Sequence, residues 1–292
     1  MTCRGVAVLP KVISYALGDV GTWLAWRLMR GMREALVDNL RAIVPDESRR
    51  MLERRARVTL RAYARDVVDF LRAIDLSQHD TNALFEYAPE HVQLFRDLLA
   101  RGKGIILVSG HYGNWELGSV AMRRVFHLPL TIVAMAEASE AINRVRRDIR
   151  DRLGADTVEV RKSLETPLQI RKRLADNRIV ALLMDRHLGR DRVAVTFLGR
   201  QAWFLKTPAL MAFLSGAPLV PCFIERTDDG RFNVSPGRPI FVAEGVSRDQ
   251  AIQGAAQEFA SQLEVRIRRR PEYWYQFYRY WDAQRDATAS VD

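Results

Sequence analysis

His111 and Glu116, five positions apart, are the residues of this chain best suited to moving a proton. They sit in the stretch KGIILVSGHYGNWEL, Lys103 to Leu117. A neutral imidazole takes a proton from an alcohol near neutral pH, and a carboxylate on its far nitrogen fixes the tautomer and stabilises the imidazolium that forms. On one continuous helix, five steps of about 100° would leave the two side chains roughly 140° apart. They can face one pocket only if His111 lies in a loop and Glu116 on a helix. The flanking sequence predicts that arrangement. Gly104–Ser109 is an apolar, β-branched run of strand length, and Gly110-His111-Tyr112-Gly113 interrupts it. Asn114 then opens a helical pattern through Trp115, Leu117, Val120, Ala121 and Val125. Glycine tolerates φ > 0, which makes so tight a loop possible. The same spacing also suits a histidine that caps a turn and a glutamate that offsets a helix dipole. Two other chemistries are excluded. Leu107 stands where a GxSxG nucleophile elbow needs glycine, and no second histidine completes a zinc-binding HExxH helix.

The residues of this stretch carry a resemblance. His-Tyr-Gly-Asn-Trp-Glu looks like the His-x4-Asp/Glu motif of the glycerolipid and lysophospholipid acyltransferase superfamily. The longer string SGHYGNWELG resembles the branch that contains the lipid A biosynthesis lauroyl/myristoyl acyltransferases. The likeness continues after the motif. Asp185 follows a buried run, Val195–Gly199 is similar to the family's V.FFG block, and Ala217–Arg226 to its A.LVP strand. RRRPEYWYQFYRYW, residues 268–281, resembles a closing Pro-Glu-x-Trp element.

Around these motifs, strand-like runs alternate with helical ones. The expected strands are Ala83–Tyr87, Leu130–Ala134, Thr157–Val160, Ile179–Met184, Phe232–Ser235 and Ile240–Val242. Helices are expected at His91–Arg101, Ser139–Leu153, Leu164–Asp176, Lys206–Ser215 and Ser247–Arg270, with a frayed tail over 283–292. Such alternation predicts an α/β fold with a mostly parallel central sheet flanked by helices. Ligands bind at the carboxyl ends of such strands, where His111 and Asp185 both fall. The N-terminal part, residues 1–80, reads as a helical, membrane-associating region, and residues 81–292 as one compact catalytic domain. Within the former, Gly5–Met29 is interrupted by Pro10, Lys11 and Asp19, which makes a poor membrane-spanning segment. Tyr15, Trp23 and Trp26, followed by Arg27, Arg30 and Arg33, suit either an interfacial anchor or an amphipathic helix packed on the body. The arginines of a second helix, Ser48–Ile74, spread round it and read as a solvated face.

Composition narrows the class of partner. Two cysteines, Cys3 and Cys222, cannot build a disulfide framework or a cysteine-rich zinc site. The net charge of +10 rests almost wholly on arginine, which binds phosphate bidentately and keeps its charge. Phospholipid headgroups, phosphorylated sugars, an acidic carrier protein and nucleic acid would all answer that surplus. The aromatic–arginine C-terminus could stack bases, cap the core or sit at a lipid interface; nucleic acid is the least favoured of these.

The resemblance implies transfer of a fatty acyl group from an acyl carrier protein or coenzyme A thioester to a hydroxyl of an anionic membrane glycolipid. His111 would be the general base and Glu116 its orienting carboxylate. Gly113, Asn114, Arg150, Asp185 and Arg186 would contact substrate. Oxyanion donors would come from backbone N–H groups of the glycine loop, Asn114 or Arg186. No metal or other cofactor is called for. The leading acceptor is a lipid A precursor at the cytoplasmic face of the bacterial inner membrane, with the enzyme peripheral or monotopic. Alternatives are acylation of phosphatidylinositol mannoside or another glycolipid, thioester hydrolysis, and a non-catalytic basic protein that binds membrane surfaces. The stretch Ala134–Ala138 lacks an arginine that many relatives carry there, so headgroup recognition is expected to differ.

Overall fold

A computed structural model describes residues 9–73, 75–135, 140–160 and 165–289. Cys3, the segment before residue 9, Ile74, Ala136–Ser139, Leu164 and the last three residues lie outside the described residues. Three helices come first: α1 (Lys11–Leu28), α2 (Arg30–Ile43) and α3 (Arg49–Ala73). After them follow α4 (Gln78–Ala83), β1 (Phe85–Glu86), α5 (Pro89–Ala100), β2 (Ile105–Ser109), α6 (Trp115–Val120), β3 (Leu130–Ala134), α7 (Glu140–Leu153) and β4 (Asp156–Glu159). The remainder is α8 (Glu165–Ala175), β5 (Ile179–Leu183), β6 (Val193–Phe197), β7 (Arg200–Phe204), α9 (Thr207–Ser215), β8 (Leu219–Arg226), β9 (Phe232–Pro236), α10 (Arg248–Arg269) and α11 (Tyr280–Ala289).

Seven strands form one sheet in the order β1-β9-β8-β2-β5-β3-β4, and every pairing but β8–β9 is parallel. This is the α/β class that the alternating pattern predicts. β2 is buried on both faces because its side chains alternate between two apolar cores. Ile106 and Val108 enter the core shared with α2, α3, α8, α9 and α10, whereas Ile105 and Leu107 enter the one shared with α5, α6 and α7. Helices of the N-terminal region thus bury Leu36, Leu40, Leu52 and Leu60 in the same core as the central strands. Among the described residues, no helix is long and apolar enough to cross a membrane.

Three expectations differ from the fold. Ile240 makes a single bridge with Leu219 in place of a strand over Ile240–Val242. The strand foreseen over Ala83–Tyr87 shrinks to Phe85–Glu86, since the preceding α4, capped by the Ser77 hydroxyl on the Asp80 N–H, runs through Ala83. The tail expected to fray is helical through Ala289, because Tyr280 and Trp281 are buried and anchor its first turn. The arginines of α3 are mostly solvated, as expected: Arg49, Arg50, Arg54, Arg57 and Arg61 are exposed, while half-buried Arg55 binds Glu47 and Glu272 and half-buried Arg65 joins Arg61 on Asp19 of α1.

Candidate active site

β2 and β5 pair in parallel with Ser109 opposite Leu183, so the residues two further along, His111 and Asp185, leave the sheet side by side. Met184 extends the ladder by donating its N–H to the Ser109 carbonyl at 2.8 Å. Asp185 Oδ1 lies 2.7 Å from His111 Nδ1, and Asp185 Oδ2 accepts the His111 backbone N–H at 3.0 Å. The Trp274 indole N–H (3.0 Å) and the Gln276 amide (2.8 Å) also donate to Oδ2, and Tyr280 donates its hydroxyl to the Asp185 carbonyl at 2.9 Å. Burial alone would push this fully enclosed carboxyl up. The imidazole charge, its hydrogen bond, the nearby Arg186 and the indole outweigh burial and hold it down to about 2.

That geometry suits His111 to accept a proton. With Nδ1 tied to a carboxylate, the lone pair of the neutral ring lies on Nε2. Among the described residues no hydrogen bond reaches Nε2, and the side chain keeps 18% of its exposure. Trp115 stands edge-on to the imidazole, ring centres 5.3 Å apart, and limits its tilt.

The carboxylate in contact with the imidazole is Asp185, where the sequence spacing pointed to Glu116. Asn114 caps α6 by accepting the Leu117 N–H on its side chain at 3.2 Å, which places Glu116 in the first helical turn. There Glu116 faces α7 and lies 3.7 Å from the Arg146 guanidinium. Arg150 is half-buried one turn beyond Arg146 on α7. Glu116 and Arg146 thus form a second charged pair, on the strand-end side of α6 and α7.

The remaining expected site residues make internal contacts around the loop. Gly113 has φ 62°, and a β-carbon there would run into the Ile224 carbonyl oxygen, so only glycine fits. A β-carbon on Gly110 would approach Leu263 Cδ2 to 2.8 Å and Asp185 Cγ to 3.3 Å. Three of the N–H groups considered for an oxyanion hole are engaged: His111 with Asp185, Gly113 with the Tyr273 carbonyl, Asn114 with the Ile224 carbonyl. The Asn114 amide donates to the Asp66 carbonyl at 3.0 Å. Arg186 donates to Gln276 Oε1 (2.8 Å) and the Tyr275 carbonyl (3.0 Å), and its guanidinium covers the Tyr278 ring. It secures the C-terminal segment against the site.

Sequence reasoning passed over Trp274, Tyr275 and Gln276. Their aromatic–polar alternation was visible, but nothing local says that three residues more than 160 positions from His111 close over it. An antiparallel bridge between Tyr112 and Trp274 does so, with Tyr275 donating its N–H to the His111 carbonyl at 2.7 Å.

Comparison with known proteins places nearly the whole chain in a family. Residues 1–283 match the family described as bacterial lipid A biosynthesis acyltransferase. A phosphatidylinositol mannoside acyltransferase of Mycolicibacterium smegmatis is 29% identical over 232 residues, covering 71% of this chain and 75% of that protein. Another, from Mycobacterium tuberculosis, is 32% identical over 141 residues, covering 47% of this chain and 44% of that protein. The latter match spans less than half the relative's length. With a loop histidine backed by a buried carboxylate and the family match running through nearly the whole sequence, the chain belongs to the bacterial lipid A biosynthesis acyltransferase family and is an O-acyltransferase.

Proposed function

We propose that this protein transfers a fatty acyl group from a coenzyme A or acyl carrier protein thioester to a hydroxyl of a membrane glycolipid, with a phosphatidylinositol mannoside-type acceptor ahead of lipid A. The observation that carries the chemistry is the 2.7 Å contact of His111 Nδ1 with buried Asp185, which leaves Nε2 as the accepting atom. His111 Nε2 takes the acceptor hydroxyl proton as the oxygen attacks the thioester carbonyl carbon. The tetrahedral intermediate collapses with loss of thiolate, and the imidazolium returns the proton to sulfur. Asp185 stabilises the imidazolium throughout, as the third member of a hydrolase triad does. Direct transfer needs no acyl-enzyme, in keeping with the missing nucleophile elbow. The choice of acceptor is supported by similarity to phosphatidylinositol mannoside acyltransferases of both mycobacterial species.

A peripheral seat on the cytoplasmic face of the membrane goes with this reading. Val12, Leu17, Val20, Trp23, Leu24 and Leu28 of α1 are all exposed. Arg27 lies over exposed Trp23, a pairing of indole and guanidinium suited to the headgroup layer, whereas Trp26, covered by Arg33 and Arg57, is buried in the core.

The test is mass spectrometry of products from purified protein given a long-chain acyl-coenzyme A and vesicles holding both phosphatidylinositol mannoside and a lipid A precursor. Acylated mannoside, absent with His111→Ala, supports the reading. Acylated lipid A precursor would keep the chemistry and move the acceptor. Free fatty acid as sole product would make the protein a hydrolase. An unconsumed thioester would leave a membrane-surface binding protein.

A further inference from the structure

Asp66 of α3 is buried and belongs to neither charged pair of the site, yet it touches both ends of the loop that carries His111. After the loop, its backbone carbonyl accepts the Asn114 amide at 3.0 Å, and Asn114 caps α6. Against the loop's start, its Oδ2 accepts the Tyr275 hydroxyl at 2.7 Å, and Tyr275 donates its own N–H to the His111 carbonyl at 2.7 Å. Tyr275 is the centre of the segment that holds the dyad. Its neighbours Trp274 and Gln276 both donate to Asp185, its carbonyl accepts Arg186, and its ring lies 6.0 Å from that of Trp115.

The carboxylate is itself held from behind. Arg226 of β8 contacts Asp66 Oδ1 at 2.6 Å and Asp69 Oδ2 at 2.7 Å, and Tyr15 of α1 donates to Asp69 at 2.6 Å. Two buried carboxylates with one guanidinium cost desolvation energy, which burial makes visible by raising the Asp66 carboxyl to about 6 against the pull of Arg226 and Tyr275. An apolar side chain would fill the same volume without that penalty, but could not accept the Tyr275 hydroxyl.

We propose that Asp66 is a positioning residue for His111, acting through the Tyr275 hydroxyl and the Asn114 cap to fix the imidazole against Asp185. This rests on the reading of His111 as the base, and the second readout below is independent of that reading. The first readout is steady-state kinetics of Tyr275→Phe and Asp66→Asn with acyl-coenzyme A and glycolipid vesicles. The proposal expects kcat to fall about five- to twentyfold with KM within twofold, and Ser247→Ala, at the far end of α10, to leave both near wild type. The second is the far-downfield Nδ1 proton resonance of His111, assigned by its loss in His111→Ala. It should be present in the wild type and shifted or broadened in Tyr275→Phe. Tyr275→Phe with unchanged kcat and an unchanged resonance would overturn the proposal. Should Asp66→Asn not fold, Tyr275→Phe decides alone, since it removes one oxygen and leaves the ring packing. Should the wild type transfer no acyl group, the acyl-transfer reading falls and the resonance still decides positioning.

Discussion

At the scale of single residues, two carboxylates near the loop sit in contrasting surroundings. Asp185 is enclosed and bonded to His111, whereas Glu116 keeps about a quarter of its exposure beside Arg146. Asp185→Asn should therefore lower kcat by roughly 10²–10⁴-fold with little change in KM, as loss of the orienting carboxylate does in triad enzymes. Glu116→Gln should act chiefly on KM for the acceptor or donor. Steady-state kinetics on the two variants separates these outcomes. The depressed Asp185 value also has a consequence for folding. A carboxyl held at about 2 against an ordinary 3.8 contributes about 2 kcal/mol of stability above the ordinary value. That contribution fades as pH falls from about 4 toward 2, because only there does the unfolded chain bind the proton that the folded one refuses. Denaturant titrations of wild type and Asp185→Asn should differ in slope against pH within that window.

At the scale of elements, the site depends on backbone contacts that tolerate almost no substitution. Gly113 combines a left-handed φ with contact against the Ile224 carbonyl, so Gly113→Ala must move β8 or the loop. We expect a loss of about 2–4 kcal/mol, read as a lower denaturation midpoint, together with loss of activity. α10 walls the other side of the loop through Leu263 and starts with a capping box in which Ser247 and Gln250 satisfy each other. Removing that cap with Ser247→Ala should cost about 1 kcal/mol and leave kcat unchanged, because the cap lies at the far end of the helix from Arg266 and the site.

For the whole molecule, the relevant property is a one-sided apolar surface on α1 beside a cluster of arginines. Val20→Asp with Leu24→Asp should weaken co-sedimentation with anionic vesicles by tenfold or more. It should leave turnover of a detergent-dispersed substrate near wild type, since neither side chain takes part in the buried network behind His111. Raising salt should weaken vesicle binding of the wild type, because screening removes the arginine contribution while the apolar one persists.

Much of this architecture was legible in local sequence. The β2 and β5 runs, the Gly-His-Tyr-Gly break and the Asn114 cap are short-range features, set by side-chain alternation, backbone freedom and a single hydrogen bond. Their order along the chain was enough to place His111 and Asp185 at strand ends. Which carboxylate meets the imidazole was not legible, because it depends on the register between two strands 74 positions apart. A shift of one residue in that pairing would turn Asp185 away. The closing contact from Trp274–Gln276 and the support from Asp66 were equally hidden, as hydrogen bonds between distant segments leave no period in the sequence. The sequence by itself determined the elements, the loop and the imidazole that it presents. Only the tertiary structure, through strand register and the packing of the C-terminal segment, decided what holds that imidazole in place.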